Sequence, residues 1–128
     1  MKYASQEWLD RQCELQQAFT SRPGASARVQ YRLLDAPGGG EIRYYADVQD
    51  GRAVEQKLGD DPHAQCTMIC SYDDSVAMLR GQLAPTTAFM DKRIKVTGDV
   101  AKLAPLMPLT QTQEYRKHYE QLLTETEF

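Results

Sequence analysis

Four short segments of the chain alternate apolar and polar residues with a period of two. Val29, Tyr31 and Leu33 share one side of "RVQYRL", and Ile42, Tyr44, Ala46 and Val48 share one side of "IRYYADV". Ala64, Cys66, Met68 and Cys70 do the same in "AQCTMICS", and Ile94 and Val96 point inward in "RIKVTG". Such alternation predicts strands with one face against a core. A fifth strand follows the hairpin signal Asp50-Gly51. A two-residue turn there sets Val48 opposite Ala53 and Ala46 opposite Glu55, which buries a carboxylate. A three-residue loop with Gly51 in a bulge pairs Ala46 with Val54 and Ile42 with Leu58, keeping the face apolar. The three-residue loop is the expectation.

The remaining segments carry helical spacing. Ser5 can cap a first helix in which Trp8, Leu15 and Phe19 fall on one face, ended by "SRPG" at Ser21–Gly24. Ser71-x-x-Asp74 has capping-box spacing and opens a short helix carrying Val76 and Leu79, stopped at Gly81. Pro85 suits the first turn of another, running to Met90. "VAKLAPLMPL" is interrupted by Pro105 and Pro108, so any helix there is short or kinked. Thr110-x-x-Gln113 is a second capping-box candidate, before a last helix with Tyr115, Tyr119 and Leu122 on one stripe. The order of elements predicts one α+β domain over residues 1–128, with five strands and helices packed on them.

Bulk properties narrow the function. A chain of 128 residues can bury a core without metal or disulfides. A formal charge of -3 argues against a general nucleic-acid binder, which needs a strongly basic face. No apolar run approaches the ~20 residues of a membrane span. The start lacks the apolar segment of a signal peptide, and "TETEF" is neither a prenylation box nor a peroxisomal signal. A cytoplasmic protein is expected, with Cys13, Cys66 and Cys70 as reduced thiols. On a strand Cys66 and Cys70 stand about 13 Å apart, beyond the ~7 Å that a disulfide tolerates.

Catalytic and metal chemistry find little support. His63 points away from Cys66 and Cys70 on a strand, so the three do not converge on a metal. "GGG" at Gly38–Gly40 is a turn, with no Gly-Lys-Ser/Thr after it. Asp73 and Asp74 suit a helix start electrostatically. His118, among Arg116, Lys117 and Glu120, reads as a solvated residue on a polar helix face. No nucleophile elbow is present. The expectation is a non-enzyme without cofactor or metal. Met68, Met78, Met90 and Met107, with Phe89, Leu79, Leu83, Leu103 and Leu106, fit either ordinary core or an adaptable pocket. Lys92, Arg93, Lys95 and Lys102 form either a solvated basic face or the seat of an anionic head group.

The segment "TMICSYDDSVAMLRGQLAPTTAFMDKRIKVTGDVAKL" resembles the sterol carrier protein family, the non-specific lipid-transfer type. The resemblance rests on an aspartate-led short helix ending in glycine, Asp73–Gly81. A Leu-x-Pro-x-x-Ala-Phe-Met segment follows at Leu83–Met90, then a basic strand ending in glycine at Arg93–Gly98. It implies a five-stranded, partly antiparallel sheet with helices over one face, enclosing an apolar tunnel. The implied ligand is a fatty acyl chain, fatty acyl-CoA, sterol or other lipid, carried without covalent chemistry by a monomer or homodimer. Phe89 and Met90 are placed by it at the tunnel, with Ile94 and Val96 beneath. Apolar phase adds Met68, Leu79, Leu106 and Met107 to the expected lining, and the basic cluster of Lys92, Arg93 and Lys95 is the expected head-group site. Two positions depart from the pattern: Lys92 stands where family members often have glycine, and Pro105 and Pro108 interrupt a helix that helps close the tunnel. The alternative is an accessory or dimerisation protein of a lipid- or quinone-pathway enzyme, its cavity filled.

Overall fold

A computed structural model describes all residues, 1–128. Helix α1 (Gln6–Gln16) leads into strands β1 (Ala27–Leu34), β2 (Ile42–Gln49), β3 (Arg52–Leu58) and β4 (Cys66–Ser71). Helices α2 (Tyr72–Leu79) and α3 (Pro85–Met90) precede the edge strand β5 (Lys95–Gly98). Helix α4 (Val100–Leu103), a 3₁₀ segment (Ala104–Gln111) and helix α5 (Gln113–Thr124) complete the chain. The five strands lie in one mixed sheet in the order β3-β2-β1-β4-β5, with β1 and β4 parallel and the other pairs antiparallel.

The two faces of the sheet differ as the alternation requires. Val29, Leu33, Ala46 and Cys66 are buried against helices. On the opposite face, Arg28 pairs with Asp47 and Asp61, and Arg32 and Arg43 share Glu41. An ion-paired face leaves the other as the only one that gains from covering.

The hairpin departs from expectation. Val48 pairs with Ala53 and Gln49 with Arg52, which is the two-residue turn; Asp50 and Gly51 have φ of +50° and +84°. Positive φ at both central positions is what the primed turns that match strand twist need. The predicted burial of Glu55 is avoided by a bulge instead. The register shifts between Asp47 and Val48, so Val54 goes unpaired, Asp47 meets Glu55, and Ala46 meets Gln56. Tyr44, rather than Ile42, lies opposite Leu58. The bulge turns both Ala53 and Gln56 inward, three residues apart.

Capping was partly legible. Ser5 accepts from the Trp8 amide and Ser71 from the Asp74 amide, as expected. Helix α1 stops at Gln16, before "SRPG", and Phe19 is buried from the following loop. Helix α5 is capped by Thr112, whose hydroxyl accepts from the Tyr115 amide; Thr110 instead donates to the Met107 carbonyl. Pro105 and Pro108 do break the helix, and the chain continues as eight residues of 3₁₀.

Helix α3 ends in a left-handed turn. Lys92 has φ +62°; its amide donates to the Phe89 carbonyl, and the Arg93 amide donates to Ala88. This is the Schellman arrangement, whose left-handed position glycine fills without steric cost. The glycine that the resemblance leads one to expect here thus has a backbone reason, and this chain puts lysine in its place.

Candidate functional site

The interior is split. Nine buried residues, Val29, Ala46, Cys66 and Leu106 among them, form one cluster. Seven others, including Trp8, Leu9, Leu33 and Leu122, form a second. A cavity of about 140 Å³ takes its wall from both: Val48, Ala53, Leu103 and Leu106 from the first, Tyr3, Trp8, Leu33 and Leu79 from the second.

Of the expected lining residues, Met68, Leu79, Ile94, Leu106 and Met107 stand in this wall. Phe89 and Met90 do not. In α3 the inward face is set by Pro85, which reaches the cavity, and by Ala88 three residues on, fully buried. Phe89 and Met90 are therefore turned outward, 41% and 80% exposed. Val96 pairs with Met68 and packs against the first cluster without reaching the wall. Lys92, Arg93 and Lys95 are exposed, and Arg93 makes an ion pair with Asp74 at 3.4 Å.

The wall also holds polar groups: tyrosines that the pattern placed on inward faces, and glutamines that it missed. Tyr31 and Tyr44 face each other across β1 and β2 and stack with ring centroids 4.7 Å apart. On α5 the Tyr115 hydroxyl donates to that of Tyr119 at 3.1 Å. Burial, reinforced by the neighbouring phenols, raises the pKa of Tyr31 and Tyr44, so both stay neutral. Gln16 joins three elements: its side-chain oxygen accepts from the Ala53 amide in the bulge at 2.8 Å, and its NH₂ reaches His118 Nε2 at 3.4 Å. Gln12, one turn earlier, and Gln56 on β3 have no such role. Their side-chain oxygens are buried without a hydrogen-bond partner. No Lys, Arg, His, Asp or Glu lies in the wall.

His118 corrects the expectation of a solvated residue. It is 4% exposed, its Nδ1 bonded to the Tyr115 carbonyl at 3.0 Å. With a proton on Nδ1, Nε2 is free to accept from Gln16. Burial pushes its pKa down to about 4, leaving it uncharged near neutrality. The sequence did hold the signal, since residue 118 falls at helical spacing on the stripe of Tyr115, Tyr119 and Leu122. Likewise Gln12 and Gln16 lie one and two turns beyond Trp8 on the buried side of α1.

A second space of about 360 Å³ lies between the α2–α3 connection and the 3₁₀ segment with α5. Its wall includes Arg80, Arg116 and Glu120. Met78, Leu79, Pro85, Thr110, Tyr115 and Tyr119 belong to both walls and form a partition.

Comparison with known proteins agrees with this architecture. The model of the SCP-2 sterol transfer family matches residues 8–111. Sterol carrier protein 2 of Gallus gallus is 29% identical over 79 residues, covering 62% of this chain but 14% of that protein. The chain thus corresponds to a small part of its curated relatives. Among solved structures, a conserved hypothetical protein of Thermus thermophilus superposes with a TM-score of 0.75 at 20% identity, over 95% of this chain and 90% of the other. The palmitated SCP2L2 of Aedes aegypti gives 0.65 at 14% identity, over 88% and 96%. With the five-stranded mixed sheet in place and the family match spanning most of its length, the chain belongs to the SCP-2 sterol transfer family.

Proposed function

We propose that this protein binds and carries a hydrophobic ligand, such as a fatty acyl chain, fatty acyl-CoA, sterol or other lipid, without covalent chemistry. The observation that carries this reading is the cavity between two core clusters, mostly apolar in its wall and partitioned from a larger groove. The palmitated relative supports it by fold likeness.

Volume decides how a lipid would fit. A cavity of about 150 Å³ holds a guest the size of benzene, whereas ligand pockets run to about 300–1,000 Å³. The inner cavity alone, at about 140 Å³, is too small, while the groove, at about 360 Å³, already lies in that range. A ligand that occupies both would displace the partition, chiefly Tyr115 and Tyr119 on one side and Leu79 and Pro85 on the other. Met68, Leu79, Ile94, Leu106 and Met107 would hold its apolar part, at about 25 cal/mol per Å² removed from water, less the costs of association. Phe89, Met90 and Val96 are proposed to meet whatever part remains outside, and Lys92, Arg93 and Lys95 an anionic head group. No helix is long and apolar enough to cross a membrane. Three free thiols suit the reducing cytoplasm, where we place the protein.

Native mass spectrometry with lipid extraction tests the reading. A co-purified lipid, or an acyl chain or acyl-CoA that raises the melting temperature by linkage, is the expected result. Failure of acyl chains, sterols and quinones alike to bind would overturn it. If the head-group assignment holds, Lys92→Ala with Lys95→Ala weakens acyl-CoA binding at low salt and much less at high salt. Unchanged binding at low salt removes those residues from the site.

A further inference from the structure

We propose that the inner cavity receives the ligand's head rather than its tail, and that this head is an uncharged group able to both donate and accept hydrogen bonds. Long-chain alcohols and primary amides are the simplest members of the class. The inference rests on the carrier reading and revises its orientation: the head lies among Gln12, Gln56, Tyr31 and Tyr44, and the carbons next to it, rather than the end of the chain, meet Met68, Leu79, Ile94, Leu106 and Met107.

Four side chains carry the argument. Gln12, Gln56, Tyr31 and Tyr44 line the inner cavity and are absent from the wall of the outer groove, so they lie beyond the partition from the groove. Gln12 is 5% exposed and Gln56 6%, and the side-chain oxygen of each lacks a partner. Hydrogen bonds play no part in the environment of the Tyr31 or Tyr44 hydroxyl, in contrast to Tyr3, which donates to Ser75 at 2.9 Å. A buried polar group without a partner costs roughly 1–3 kcal/mol, and most such groups in folded proteins are paired. Gln16, on the same helix, shows the contrast: both ends of its amide are used.

Three kinds of ligand end can be weighed against this set. A hydrocarbon tail would leave the amides and hydroxyls as unpaired as before. An ionised carboxylate would lose its water and find no cation, since the wall has none. A hydroxyl or primary amide offers both a donor and an acceptor, matching amides that carry both and phenols that can act as either. Of the two walls, only that of the outer groove carries charged side chains, Arg80, Arg116 and Glu120.

The test compares probes of one chain length: tetradecan-1-ol, tetradecanamide, tetradecane, and tetradecanoate held at about pH 8 so that it is ionised. Binding is read by displacement of a fluorescent apolar dye. The alcohol and amide are expected to bind at least tenfold tighter than the alkane and the anion, because a polar site rejects an analogue that leaves it unpaired. Gln12→Leu with Gln56→Leu should remove that preference while keeping alkane binding. Should the double variant fail to fold, the ranking of the four probes on the native protein still decides. Equal binding of all four, as a water-filled inner end would give, overturns the head-inward proposal and leaves the carrier reading intact. Tightest binding by the anion overturns it as well. If none of the four binds, the head-inward proposal falls, and the carrier reading is decided separately by the sterols, quinones and acyl-CoA.

Discussion

Lys92 and His118 show how single residues depart from their sequence reading. The resemblance marked position 92 as unusual, and the backbone supplies the reason: φ +62° at the left-handed position of a Schellman turn. A non-glycine residue there costs about 1–2 kcal/mol, partly offset by the greater freedom glycine loses on folding. Lys92→Gly should therefore stabilise the protein by a few tenths to about 1 kcal/mol, seen as a higher denaturation midpoint with unchanged slope. His118 was misjudged because its charged sequence neighbours point elsewhere on α5. Its folded pKa of about 4 lies below the ordinary 6.5, so the unfolded chain takes up a proton first as pH falls. Stability is thus complete above 6.5 and drains away toward 4, by up to about 1.4 kcal/mol per pH unit. Glu41, Glu114 and Glu125 have lowered pKa values, held down by hydrogen bonds, and lose their contribution only below the ordinary glutamate value of 4.5. Between about pH 6.5 and 5 the slope should fall away in His118→Gln. A signal assigned to the His118 imidazole and titrating near 6.5 in the native protein would contradict the burial.

Elements were easier to read than their joins. Period-two alternation found the strands because one sheet face is buried and the other ion-paired. It could not find the register of β3, because a bulge moves the inward positions to Ala53 and Gln56 and so breaks the alternation. The capping-box spacing to Gln113 pointed to Thr110, two residues before the true cap Thr112, because proline had already erased the helical phase before them. The glycine closing β5 was read as part of a family pattern, and its necessity appears only in three dimensions. Gly98 has φ +87°, and a Cβ there would stand 2.7 Å from the Gln65 carbonyl oxygen and 3.1 Å from Cys66 Cα. Both are backbone atoms, so relief requires β4 and β5 to part. Gly98→Ala should cost roughly 2–4 kcal/mol and speed amide exchange in β5 selectively. Exchange no faster than in the native protein would show that the edge strand tolerates the shift.

At the scale of the whole molecule, what sequence could convey was the kind of interior rather than its shape. Methionines and leucines of the second half announced an apolar region, and five of the eight expected lining residues do stand in the cavity wall. Phe89 and Met90 were placed there by the resemblance of Leu83–Met90 to the family segment. A six-residue helix has room for one inward face, though, and Pro85 and Ala88 occupy it. The glutamines of the wall were hidden because glutamine reads as surface, and the tyrosines, though placed on inward faces, read as ordinary core. Their roles depend on which neighbours α1, α5 and the β3 bulge bring to them. The divided core also bears on stability. Filling the cavity supplies contacts that neither cluster has alone, so a bound ligand at 100 times its Kd should add about 2.7 kcal/mol, measured as a ligand-dependent rise in melting temperature.

The partition shared by the two spaces has a kinetic consequence. If a ligand reaches the inner cavity only when Tyr115, Tyr119 and their opposite wall separate, the slow step of loading belongs to the protein. In stopped flow the observed rate should then level off as ligand concentration rises, at a ceiling common to ligands of different chain length. Unloading would be limited in the same way by opening of the loaded form, so the carrier would keep time for its cargo.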